Sequence, residues 1–157
     1  RWLATRNTML RIGRNLFVHA GLSARLLERN LEMDTLNARM SEGLYRTSKE
    51  RREDPTLEFL YRSAGPVWYR GMVCTDEKYD PLTPEQTDAL LRRYDADRLL
   101  IGHTIFPDIS TFHDGRVIAV NVQNERNRRK NRGRAVLIEG SRISVVGNRG
   151  VKRVLEE

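Results

Sequence analysis

The run Asn15-Leu16-Phe17-Val18 is apolar without alternation and stops at His19, Ala20 and Gly21. A strand with one wet face alternates apolar and polar residues, whereas a short unbroken apolar run marks a strand covered on both faces. A second short apolar run, Leu99-Leu100-Ile101, stops at Gly102, His103 and Thr104. A helical pattern stands before it, and helix leading into strand points to an α/β layer.

The intervening segments fill in that layer. Met9 to Ile12 and Asn15 to Val18 form two strands around the Gly13 turn. Residues 24–47 are expected to be helical, with Met33, Leu36, Met40 and Leu44 on one face. Ser48 to Asp54 is then a charged exposed stretch, and Pro55 to Arg62 adds a helical turn or two. Gly65 to Gly71, GPVWYRG, is a loop with unusually large side chains. Thr83, Pro84 and Gln86 mark a helix start, with Thr87, Leu90, Leu91 and Tyr94 on its inner face. Two strands around Asp114-Gly115 and two more around Glu139-Gly140-Ser141 close the chain as a β-meander.

With 157 residues, 39% of them hydrophobic, the chain can bury one ordinary core, and no window approaches the roughly 20 apolar residues of a membrane span. A soluble chain is expected, with the cytoplasm the favoured compartment. The opening RWLATRN has neither an initiator methionine nor a signal peptide's pattern, and is expected to be a cut end. The single cysteine, Cys74, excludes an internal disulfide framework and a cysteine-rich metal site. A net charge of +7 favours anionic partners without choosing among them.

His19 and His103 share one arrangement: apolar strand, histidine, polar or glycine turn. In open α/β sheets ligands gather at the carboxyl ends of strands, so both imidazoles could converge on one site. An imidazole is also a common nitrogen ligand for divalent metals. The competing reading of each is a satisfied, partly buried histidine that merely ends a strand.

Taken in order, NLFVHAGLS, GPVWYRG and LLIGHT resemble the C-terminal half of the calcineurin-like metallophosphoesterases, and within them the Shewanella-like branch of the phosphoprotein phosphatases. The resemblance implies an α/β fold, the C-terminal half of a metallophosphoesterase β-sandwich flanked by helices, with residues 1–157 as the C-terminal portion of a single domain. It implies a two-metal phosphomonoesterase acting on phosphorylated protein side chains or small phosphomonoesters. Two divalent ions (manganese, iron or zinc) would activate a bridging hydroxide. His19 and His103 would coordinate the second metal, and Arg70 would grip phosphate oxygens. For Arg70 the residues alone leave open a stacking role on Trp68 or Tyr69, and those two aromatics are taken as packing residues. Ser23 and Cys74 are not expected to act as nucleophiles.

The family's three upstream motifs are not found in this sequence. They carry the first-metal ligands, the bridging aspartate, a phosphate-gripping arginine and a histidine proposed as general acid. No catalytic residue is therefore assigned, and the chain alone is expected to be inactive without the missing N-terminal half. Ala20 stands where the family usually has a glycine, and Asn121 and Gln123 stand where it commonly has an aspartate and a glycine. His113, in the HDG turn, is expected to be exposed and to have no ligand role; Asp76, Glu77, Asp95 and Asp97 are expected at solvated loops and helix ends.

Residues 125–134 carry six cations and no aromatic side chain. They could form a solvated loop, steer an anionic substrate, or contact nucleic acid; the missing stacking residues make nucleic acid the less favoured partner. The competing function is a non-enzymatic binding module, acting through this stretch or as a degenerate phosphatase.

Overall fold

Gly13, at a φ of 58°, takes a left-handed conformation that glycine adopts without strain, and turns strand β1 (Met9–Ile12) back antiparallel to β2 (Asn15–Val18). The computed structural model describes residues 2–156; Arg1 and Glu157, the ends of the domain assigned from sequence, lie outside the described residues. Strand β3 (Arg98–Ile101) pairs parallel with β2, and the hairpin β4 (Ser110–Phe112) and β5 (Val117–Ala119) joins through β5 parallel to β3. The resulting mixed sheet runs β1-β2-β3-β5-β4. A second, antiparallel sheet follows, β6 (Arg134–Glu139), β7 (Arg142–Gly147) and β8 (Lys152–Glu156).

The unbroken apolar runs are covered on both sides. Leu16, Val18, Leu99, Ile101, Val117 and Ala119 point to one face and pack against helices. Phe17, Leu100 and Ile118 point to the other, where they meet Ile143, Val145, Val136 and Ile138 of the second sheet. The order of layers is helices, five-stranded sheet, three-stranded sheet, and each inner strand alternates between two dry interfaces.

The helical layer departs from the sequence reading at two places. Residues 24–47 hold two helices, α1 (Arg25–Arg29) and α2 (Met33–Gly43). Asn30 between them is left-handed, with φ of 47°, and its N–H bonds back to the Leu27 carbonyl, as asparagine tolerates at a helix end. The stretch taken as exposed charge is a helix too, α3 (Ser48–Glu53), opened by a reciprocal cap between Thr47 and Glu50. It buries no side chain, so no apolar stripe announced it. Asn37 of α2 covers the backbone of β1, accepting from Met9 N–H at 2.9 Å and donating to its carbonyl at 2.8 Å.

Helix α4 (Pro55–Tyr61) begins at Asp54, and α5 (Pro84–Arg93) carries the expected Thr83–Gln86 box with Thr87, Leu90, Leu91 and Tyr94 buried. The basic stretch contains a helix, α6 (Asn124–Arg129), rather than only a loop. Among the described residues no helix is long and apolar enough to cross a membrane.

Asp54 ties two helices together: its carboxylate accepts from Thr56 N–H and Leu57 N–H at 2.9 and 3.0 Å and pairs with Arg39 of α2. The Arg39 hydrogen bond, then the capped backbone, hold this carboxyl below the usual carboxylate range. Asp54→Ala is expected to lower stability at neutral pH by about 1 kcal/mol, the ordinary worth of a cap. A group with a depressed folded pKa stabilises above its unfolded pKa of about 3.9 and loses that contribution as pH falls through the folded value. Urea unfolding of both proteins along an acid series should show the gap closing only at the acid end.

Candidate functional site

The pairing of β2 with β3 sets Val18 opposite Ile101, so the first residues beyond each strand also meet. Gly102 N–H donates to the His19 carbonyl at 2.8 Å, and a Cβ at Gly102 would come within 3.3 Å of that oxygen. His103 follows at a φ of 58°, a left-handed conformation that strains a non-glycine residue. This turn aims its ring back at the neighbouring strand. The Nε2 of His19 and the Nδ1 of His103 stand 3.2 Å apart, with ring centroids separated by 5.0 Å. Two imidazole nitrogens at that spacing can share one proton or one cation.

The loop Gly65–Gly71 is fastened to the turn after β2. Ala20 N–H donates to the Pro66 carbonyl at 2.9 Å, and Leu22 N–H reaches the Met72 sulfur at 3.3 Å. Tyr69 is buried and its hydroxyl donates to the Asp80 carbonyl. Trp68 is not a packing residue: its side chain is 55% exposed and its ring meets that of His103 edge-on at 5.5 Å. Arg70 donates through a terminal guanidinium nitrogen to the Thr104 hydroxyl at 2.9 Å. The three assigned residues, His19, His103 and Arg70, are thus gathered at the carboxyl ends of two inner strands by three separate segments.

The histidines differ in environment. His103 is half-buried, and its Nε2 is buried without a hydrogen-bond partner among the described residues. Burial foremost, then the charges of Arg70 and His19, push its pKa below the ordinary value. Among the described residues no group of three or more histidine, cysteine or acidic side chains gathers as a metal site. Asn121, just beyond β5 and beside Gly102, brings an amide where a carboxylate would be needed. For a metal the site therefore offers two imidazoles, with the Arg70 guanidinium beside them as a hydrogen-bond donor.

Other residues take structural roles. Ser23 is buried and donates to the Ala64 carbonyl at 2.8 Å. His113 is half-buried rather than exposed: its Nε2 lies 3.0 Å from the Met72 carbonyl and its Nδ1 3.3 Å from the Thr87 hydroxyl. It thereby braces the end of the loop that carries Trp68 and Arg70. Asp95 and Asp97 pair with Arg14, and Asp95 also with Arg11, at the far end of the sheet. Neither the Arg70–Thr104 bond nor the His113 brace was legible in sequence, because their partners lie 34 and 41 residues away with no periodic signal.

These layers define an α/β fold with a five-stranded mixed sheet between helices and a three-stranded antiparallel sheet. No protein-family model matches the chain, and no curated protein sequence matches it. Among solved structures it is similar to a cold-active protein tyrosine phosphatase, with a TM-score of 0.88, 27% identity and 99% of this chain covered. It is likewise similar, with a TM-score of 0.87 and 26% identity, to the cold-active protein-tyrosine phosphatase of the psychrophile Shewanella sp. and to a point mutant of a cold-active protein tyrosine phosphatase. In each case the chain spans 44% of the neighbour's length.

Two outcomes check this geometry. A Cβ at Gly65 would overlap the Leu60 carbonyl, a backbone atom that cannot step aside; Gly65→Ala is expected to destabilise by about 2 kcal/mol in thermal or urea unfolding. By NMR, His103 should titrate below the ordinary value of about 6.5, and Arg70→Gln should move it partway back up. An unchanged His103 titration in that variant would break the link between the two side chains.

Proposed function

We propose that this chain contributes one side of a two-metal phosphomonoesterase centre acting on phosphorylated protein side chains. The observation that carries the reading is the His19–His103 pair, 3.2 Å apart at the carboxyl ends of adjacent parallel strands. Nitrogens each about 2.0–2.1 Å from one ion, at roughly 100° to each other, lie about 3.2 Å apart. The pair is therefore spaced to bite a single divalent ion of the kind imidazole favours, such as manganese, iron or zinc. Ions in such a centre supply an activated hydroxide and neutralise the phosphoryl oxygens.

What these side chains do there follows from their chemistry. His19 Nε2 and His103 Nδ1 face each other at 3.2 Å, close enough to share one cation. Arg70, oriented by Thr104, offers fixed donors to phosphoryl oxygens, and its permanent charge favours an incoming dianion. Trp68 walls the approach to His103. The similarity to protein tyrosine phosphatases supports a phosphoprotein substrate. The resemblance seen in sequence supports the narrower assignment, the C-terminal portion of a metallophosphoesterase domain.

Two imidazoles without a carboxylate make a weak, open site, whereas a dinuclear centre needs bridging and flanking carboxylates. These we assign to a separate polypeptide segment. The 157-residue chain alone is thus expected to bind manganese or zinc weakly in calorimetry, to lose that binding in His19→Ala and in His103→Ala, and to leave para-nitrophenyl phosphate intact. Robust hydrolysis by the chain alone, or metal binding indifferent to both substitutions, would overturn the proposal.

A further inference from the structure

The exposed indole of Trp68, whose ring meets that of His103 edge-on, lines two open recesses. The first, about 440 Å³, is lined by Arg25, Arg62, Arg70 and Lys78 together with Trp68 and Tyr79. The second, about 380 Å³, sets Arg51, Arg52 and Arg62 around the same indole. Against these six cations the lining holds two carboxylates, Asp80 in the first recess and Glu58 in the second. Arg25 and Arg70 pair with no carboxylate among the described residues, while Arg62 and Lys78 make exposed pairs with Glu58 at 3.4 Å and Asp76 at 2.8 Å. Exposed pairs of this kind contribute little and exchange readily.

We infer that this trough holds an acidic stretch of the substrate protein. Carboxylates flanking the phosphorylated residue pair with Arg25, Arg62 and Arg52, and the substrate side chain passes over Trp68 toward His103. The inference rests on the phosphatase reading for the position of the phosphoryl group, but the trough's affinity for an acidic segment needs neither metal nor hydrolysis. A nucleic-acid strand fits less well. It calls for a continuous cationic track with successive stacking rings, and here two separate recesses meet at one exposed ring.

The test is fluorescence anisotropy with the whole chain and a labelled peptide rich in aspartate and glutamate around a central tyrosine, phosphorylated and unphosphorylated. Both forms should bind at low salt at least about tenfold more tightly than a peptide with asparagine and serine in the acidic positions. The double variant Arg25→Glu/Arg62→Glu, its fold checked by circular dichroism, should lose that preference and instead favour a lysine-flanked peptide. Equal affinity for acidic and neutral peptides overturns the inference, as does acidic-peptide binding untouched by the charge reversal. Tighter binding of a single-stranded DNA oligonucleotide, abolished by the same variant, also overturns it by assigning the trough to nucleic acid. Failure of the phosphatase reading shows separately, as absent metal binding with peptide binding intact.

Discussion

The parallel pairing of β2 with β3 is the constraint on which the site depends. Its register, Val18 opposite Ile101, brings His19 level with Gly102 and lets the left-handed His103 turn its ring back to within 3.2 Å of it. A slip of one residue would exchange the two faces of β3, sending Leu99 and Ile101 to the second sheet and Leu100 to the helices. Because both faces are dry, the apolar pattern alone leaves that slip cheap. The register is held by what lies beyond the strands: Asp97 N–H to the Arg14 carbonyl at one end and Gly102 N–H to the His19 carbonyl at the other.

The strands of this account were legible because short apolar runs and glycine turns report burial directly. The capped helix at Thr83 was legible for a local reason too, since hydroxyl, proline and glutamine fall within four residues of one another. Helix α3 was not, because a helix that buries nothing gives no periodic signal, although its Thr47–Glu50 cap was there to be seen. The split between α1 and α2 rests on a single left-handed asparagine, which composition and periodicity average away. At the site, the convergence of His19 and His103 was readable from their common placement after strands. The Arg70–Thr104 bond and the bracing of the loop by His113 belong to tertiary contacts with no local signature.

The site's chemistry is lopsided in an informative way. It gathers imidazole nitrogens and positive charge at the carboxyl ends of two inner strands. A ligating imidazole usually has its second nitrogen hydrogen-bonded to a carboxylate, carbonyl or water. His103 Nε2 has no such partner among the described residues, and the amide of Asn121 is no substitute for a metal-binding carboxylate. The surroundings agree in sign: Arg70 faces the pair, cationic recesses flank Trp68, and the chain carries a net charge of +7. An anionic reactant is what such a surface concentrates, and the phosphorylated acidic segment we propose carries that sign.

The central claim is that two particular nitrogens, one from each strand end, are aimed at a single ion. Long-range proton–nitrogen correlation spectra of the imidazoles during a zinc titration test it most directly. The account predicts that His19 Nε2 and His103 Nδ1 move together toward the metal-bound range while both nitrogens of His113 stay put. Movement of His103 Nε2 instead, or of one histidine without the other, would contradict it.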